Sequence, residues 1–203
     1  MTLLDYGAGN VRSVVRAFEH EGAEVMVTDD PAVARAAERL VLPGQGQFGQ
    51  CMTRLEERGL GDAVREHVAA GRPFLGICVG MQLLFEESEE APGVKGLGLL
   101  SGTVQRLPTD LPLPHVGWNA VEFVRGAVAD PVLAGVAGIE PRWFYHVHSY
   151  GVLESDGEQV LGRCTYDAPF ASIVGRGNVW GVQFHPEKSQ EDGLRIVGNF
   201  SRV

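Results

Sequence analysis

Up to Glu90 the chain alternates short apolar runs with amphipathic stretches, and few folds accommodate that rhythm. Residues 2–6 (TLLDY) read as a strand ending at the Gly7-Ala8-Gly9 turn. Asn10 then caps a helix whose apolar residues Val11, Val14, Val15 and Phe18 fall at i, i+3, i+4 and i+7. EVMVTD (24–29) is the next strand, and Asp30-Pro31 supply the N-cap and first helical residue for 31–38. RLVLPG is a third strand, 61–70 a helix closed by Gly71, RPFLGI a buried fourth strand, and VGMQLLFEE (79–87) the helix after it. Strands that alternate with helices predict a parallel sheet covered on both faces.

After Glu90 the texture changes. GTVQRL, VGWNAVEFV, PRWFYHVHSYGV, EQVLGRCTYD, FASIVG and NVWGVQFH are strand-like and parted by Gly, Pro and Asp. They predict either an antiparallel extension or further strands of the same sheet, followed by a last helix over about residues 189–200. No repeat, low-complexity tract or linker interrupts residues 1–203, so the expectation is one α/β domain. The most irregular stretch is PTDLPLPHVGWN (108–119), and irregular segments in compact domains often carry function.

The net charge of -9, with 26 acidic against 17 basic residues and no Lys/Arg run, argues against nucleic acid or an anionic membrane as partner. No apolar stretch is long enough to cross a bilayer, and MTLLDYG has neither the basic nor the apolar region of a signal peptide. Cys51, Cys78 and Cys164 form no CxxC pair, so neither a disulfide framework nor a cysteine-rich metal site is expected. A reducing cytoplasm suits such a chain.

Gly76-Ile77-Cys78-Val79-Gly80 places a thiol on a sharp strand-to-helix turn. Such a turn exposes the sulfur at the carboxyl edge of the sheet and sets it at a helix N-terminus, where thiolate is favoured. It also aims the Val79 N–H where an oxyanion would form. Taken alone, Cys78 reads equally well as a small core residue in a tight turn. A nucleophile needs a base oriented by a third group, and GVQFHPEKS offers both in His185 and Glu187.

Residues 44–49 (GQGQFG) match GxGxxG formally, but they follow the third strand and lack an acidic residue at a later strand end, so a dinucleotide site is not expected. They read better as a mobile loop facing the cysteine, where a peptide flip presents a second N–H to an oxyanion. His146 and His148 share a strand face and could chelate a metal with His185, yet their aromatic setting looks like packing; no metal and no cofactor are expected. Gln82, one turn beyond Cys78, faces the way of the thiol and suits hydrogen bonding to a substrate.

With LGICVGMQLLF and FHPEKS in place, the whole chain resembles the class I, triad-type glutamine amidotransferases. The resemblance implies that family's fold: a mostly parallel central sheet flanked by helices, with an antiparallel extension in the second half. It implies that Cys78, His185 and Glu187 hydrolyse glutamine to glutamate and ammonia through a thioester, with the Val79, Gln45 and Gly46 N–H groups holding the oxyanion. It further implies that Gly44, Gln82, Ser149 and Tyr150 bind the substrate. LLDYGAGN, LPGQGQFG, HVGWN and FYHVHSYG are most similar to those members that pass ammonia to a (β/α)8-barrel cyclase subunit in a heterodimer. That implies Asn10, Trp118 and Lys188 at the interface; Trp118 is also a physically sensible anchor, a large aromatic in an irregular segment. Alternatives are a glutaminase subunit of another synthase, or an inactive regulatory protein on this scaffold. Gln45 departs from the family, which usually has a small apolar residue there, and His146 stands where an aromatic is commoner.

Overall fold

The computed structural model describes residues 1–153 and 157–203. The first half contains β1 (Thr2–Leu4), α1 (Val11–His20), β2 (Met26–Thr28), α2 (Pro31–Ala36), β3 (Leu40–Gly44), α3 (Phe48–Glu57), α4 (Leu60–Ala69), β4 (Phe74–Cys78) and α5 (Val79–Gln82). Then come β5 (Glu87–Ser88), β6 (Thr103–Arg106), β7 (His115–Phe123), β8 (Arg142–His148) and β9 (Tyr150–Gly151). The chain closes with β10 (Val160–Tyr166), β11 (Ala168–Arg176), β12 (Val179–Val182) and α6 (Gln190–Phe200).

Nine strands form one sheet in the order β2-β1-β3-β4-β12-β11-β10-β7-β8. From β2 to β12 neighbouring strands run parallel. From β12 to β8 they run antiparallel, so the second-half strands extend the same sheet. A small sheet, β5-β6-β9, lies apart. β3 and β4 are buried at every position because helices cover both faces, which is why they read as unbroken apolar runs. Right-handed crossovers put α1 on one face, since β1 to β2 steps one way along the sheet, and α2 to α4 on the other, since β2 to β3 to β4 steps back. α6 packs on α1, with the Phe18 and Phe200 rings 6.3 Å apart. The parallel order brings the carboxyl ends of β3, β4 and β12 side by side at one edge, where open sheets of this kind bind ligands.

Several local readings need correction. The helix expected over 79–87 ends at Gln82. The carbonyls of Leu83, Leu84 and Phe85 are taken instead by the N–H groups of Leu97, Leu99 and Gly98, so no helical partner remains for them. Residues 48–57, left unassigned from sequence, form α3, with Phe48, Cys51, Met52 and Leu55 buried at i, i+3, i+4 and i+7. Irregularity ends at residue 114, so Trp118 stands on β7 rather than in a loop. Asn10 does occupy the N-cap position of α1, but its side chain makes no capping bond, whereas Asp30 Oδ1 caps α2 by accepting from Ala32 N at 2.8 Å. Among the described residues, no helix is long and apolar enough to cross a membrane.

Candidate active site

Cys78 ends β4 with φ +55° and ψ -113°, a left-handed conformation that a side chain enters only under constraint. The constraint comes from close backbone packing on both sides of it. A Cβ on Gly80 would lie 1.9 Å from the Leu42 carbonyl oxygen, and one on Gly44 would lie 2.4 Å from Gly80 N. Only glycines let β3 approach the first turn of α5 this closely, and the resulting elbow turns the thiol out of the sheet.

The sulfur opens into a cavity of about 260 Å³. Gln45, Gly46, Val79 and Gln82 line it on the side of the elbow; His148, Ser149, Tyr150, His185 and Lys188 line it from the second half. Gly44 lies just behind, paired in register with Cys78. Neither the Gln45 nor the Gly46 N–H has an acceptor among the described residues, so both donors stay available beside the thiol.

β12 delivers His185 to the same edge, and a 3-10 turn over Pro186–Lys188 brings Glu187 back beneath it. His185 Nδ1 is 2.9 Å from Glu187 Oε1, with both side chains buried. This bond fixes the tautomer and leaves Nε2 for the cavity. The other oxygen, Glu187 Oε2, is buried with no hydrogen-bond partner among the described residues, so the imidazole is what compensates this carboxylate there. Burial pulls the His185 pKa down, but hydrogen bonds and charge from Cys78 and Glu187 outweigh it and push it up to about 10. That direction favours the protonated ring, the form an acid for a leaving amine requires.

The backbone of His185 is stapled to β8. His185 N donates to Tyr145 O at 2.9 Å, while Ser189 Oγ accepts from Tyr145 N and donates to His185 O. On the outward side of Tyr145 sit Lys188 Nζ, 5.7 Å from the ring centroid, and Trp118, edge-on at 6.2 Å. Trp118 and Lys188 thus both border Tyr145. Asn10 lies elsewhere, at the β1–α1 turn, next to Gly9 whose backbone packs on Pro43-Gly44.

Gln82 borders the same cavity as Cys78, as its position one turn on predicts, but its amide nitrogen is already engaged. Its Nε2 donates inward, to Tyr150 O at 2.9 Å and to Gln183 Oε1 at 3.0 Å, so only its carbonyl oxygen is left for a ligand. Sequence reasoning missed Glu90, Pro114, Val147 and His148 on the cavity wall. Glu90 is tied to the loop after β3 through Phe48 N, which donates to its Oε2 at 2.8 Å, and it brings a carboxylate suited to an ammonium group. No local signal marks it, because its partners lie far away in sequence.

The histidines read as packing, His146 and His148, lie with His115 in one group of rings, 5.1 to 5.6 Å apart. His146 bridges Phe144 O and Ser172 Oγ, and His115 Nδ1 meets His148 Nε2 at 3.2 Å. Among the described residues no cluster of three or more His, Cys, Asp or Glu could hold a metal ion. Burial lowers the pKa of His115, brings His148 to about 3 and sends His146 well below the usual histidine range. Unfolded, these rings take up protons below about pH 6.5, while the folded protein refuses them, so stability falls as pH drops through that window. His146→Phe removes one such ring. Scanning calorimetry at pH 7 and pH 5 is expected to show a smaller loss of Tm for the variant than for the parent; an equal or larger loss would contradict this account.

A family model described as "Glutamine amidotransferase class-I" matches residues 2–202, and the chain belongs to that family. Within it, the chain is 48% identical to imidazole glycerol phosphate synthase subunit HisH of Symbiobacterium thermophilum, over all of this chain and 93% of that one. It is 41% identical to the subunit of the same name from Methanothermobacter thermautotrophicus, covering 100% and 98% of the two chains. Among solved structures, PurLQS from Thermotoga maritima superposes with a TM-score of 0.78 at 21% identity, covering 98% of this chain and 95% of that one. A further crystal structure, of a glutamine amidotransferase, gives 0.77 at 21% identity over 100% and 99%. At those identities the two structures speak for the fold alone.

Proposed function

We propose that this chain is the glutaminase subunit of imidazole glycerol phosphate synthase, acting in the cytoplasm in histidine biosynthesis, with Cys78, His185 and Glu187 as its catalytic triad. The observation that carries the chemistry is His185, hydrogen-bonded to Glu187, on the wall of the cavity into which the strained Cys78 elbow opens. Full-length similarity to HisH subunits supports the choice of synthase.

Cys78 sulfur attacks the side-chain carbonyl carbon of glutamine, and the carbonyl π electrons move to oxygen. The Val79 N–H and a donor from the Gln45-Gly46 loop stabilise that oxyanion. Protonated His185 gives its proton to the nitrogen as the C–N bond breaks, releasing ammonia and leaving a γ-glutamyl thioester. His185, now neutral, takes a proton from water as the water attacks the thioester. The tetrahedral intermediate collapses, the C–S bond breaks with its electron pair returning to Cys78 as thiolate, and glutamate leaves with His185 protonated again. Gly44, Ser149 and Tyr150 border the space for the amino-acid end of the substrate, with the Glu90 carboxylate for its ammonium.

Ammonia passes to a (β/α)8-barrel cyclase subunit in a heterodimer, which forms imidazole glycerol phosphate and aminoimidazole carboxamide ribotide. Trp118 is 42% exposed, and Val116 and Trp143 beside it on β7 and β8 are 55% and 58% exposed, an apolar patch that fits a partner surface better than solvent. Lys188 stands on Tyr145, the neighbour of Trp118, and Asn10 follows Gly9, whose backbone packs on the end of β3.

The test is glutamate release by the chain alone and with the cyclase subunit plus its nucleotide ligand. Strong stimulation by the partner is expected, and Trp118→Ala should weaken binding in a titration by about 10-fold or more. Full activity without a partner would instead mark a free-standing hydrolase.

A further inference from the structure

A second buried amide reaches the sulfur and has no part in the steps above. Gln183 directly follows β12, is wholly buried, and turns its Nε2 toward Cys78 Sγ, 4.0 Å away. Its Oε1 accepts from Gln82 Nε2, whose other proton goes to the Tyr150 carbonyl. These bonds determine how both amides are turned. The Tyr150 carbonyl demands the NH2 end of Gln82; the remaining Gln82 proton demands an oxygen from Gln183; the Gln183 NH2 is then left facing the sulfur.

The far end of the row is held equally firmly. His148 Nδ1 donates to the same Tyr150 carbonyl at 2.8 Å, so its Nε2 accepts from His115 Nδ1. His115 Nε2 in turn accepts from Asn119 Nδ2 at 3.3 Å. An unbroken string of oriented hydrogen bonds therefore runs from β7 to the nucleophile, with the neutral tautomers that burial of these rings favours.

We infer that Gln183, turned by Gln82, is a positioning residue for the nucleophile: its N–H groups stabilise negative charge on the Cys78 sulfur and hold it facing His185. A neutral amide suits this place because it donates to an anion without adding a buried charge that would need its own partner. Such a contact is long in a resting site and tightens as charge develops on the acceptor. The inference rests on the thiol chemistry proposed above, although its test does not depend on turnover.

The experiment is the rate of iodoacetamide alkylation of Cys78 against pH in the full chain, with Cys78→Ala as background. Gln183→Met keeps the size of the side chain and removes the donor. Gln183→Glu replaces the donor by a group that repels thiolate. At neutral pH the expected order is wild type fastest, Gln183→Met slower by about 10-fold, and Gln183→Glu slower still, with the profile moving to higher pH in that order. Gln82→Met, which frees Gln183 to turn, should fall between wild type and Gln183→Met. In the complex with the cyclase subunit, kcat should fall in the same order for the two Gln183 variants with KM for glutamine unchanged, since their effect is on the sulfur and not on substrate contacts.

Wild-type alkylation rates in both Gln183 variants would overturn the inference. So would an equal slowing in both that simply tracks a fall in Tm, because that pattern reports general loosening. If the wild-type complex releases no glutamate, the proposed function fails, while the alkylation order still decides the role of Gln183.

Discussion

Replacing Cys78 with alanine is expected to lower glutamate release by the complex by about 10,000-fold or more, leaving the fold and partner binding intact. No second group can inherit the attack. The other two thiols, Cys51 and Cys164, are buried, and burial pushes the first upward in pKa and the second up to about 12, away from the reactive form. Neither lines the cavity. His185 would remain hydrogen-bonded to Glu187 but would have nothing to activate. The loss should appear in kcat, with glutamine still bound, because the substrate contacts proposed above come from groups other than the thiol. Residual activity within about 10-fold of the parent would assign the chemistry to another nucleophile and sink the triad reading.

Gly80→Ala is the substitution expected to damage the fold most for the fewest atoms. Its Cβ would stand 1.9 Å from the Leu42 oxygen and 2.9 Å from the carbon behind it. Leu42 belongs to β3, in the middle of the sheet and bonded to strands on both sides, so the obstruction is backbone that cannot swing away. Either α5 must lift or the sheet must distort. A cost of about 3 kcal/mol or more follows, and at this chain length that is a fall in Tm of about 6 to 12 °C. Because α5 begins immediately after Cys78, whatever protein still folds should also show slowed alkylation of Cys78. Gly126→Ala is the control, as nothing lies within 4 Å of its Cβ; a change below about 0.5 kcal/mol is expected there. A Tm for Gly80→Ala equal to that of the control would mean that the elbow shifts to make room for the Cβ, against the rigidity of the β3 backbone.

Elements whose signal is short-range were legible. The i, i+3, i+4, i+7 spacing marked α1, Asp30-Pro31 marked the start of α2, and unbroken apolar runs marked β3 and β4. The glycines around Cys78 announced a turn, and Cys78 stands in it with a positive φ. α3 carried an equally good periodic signal in Phe48, Cys51, Met52 and Leu55, but attention to the preceding glycines hid it. Other features had no local signal. Helix α5 stops at Gln82 because the carbonyls beyond it find partners at residues 97–99. The amide of Gln82 turns inward because Tyr150 and Gln183 are there to receive it. Residue 90 stands beside residue 48 only because the chain has closed on itself.

The residue order alone therefore determined the α/β alternation, the thiol on its turn, and a histidine followed by a carboxylate two positions on, since propensity, periodicity and turn chemistry act between near neighbours. Only the tertiary structure decided that β12 lies next to β4, that β8 holds the backbone of His185, and that Trp118 faces outward from a strand. Those placements follow from which backbone groups pair and which apolar faces meet once distant segments collapse together, and no window along the sequence contains both partners.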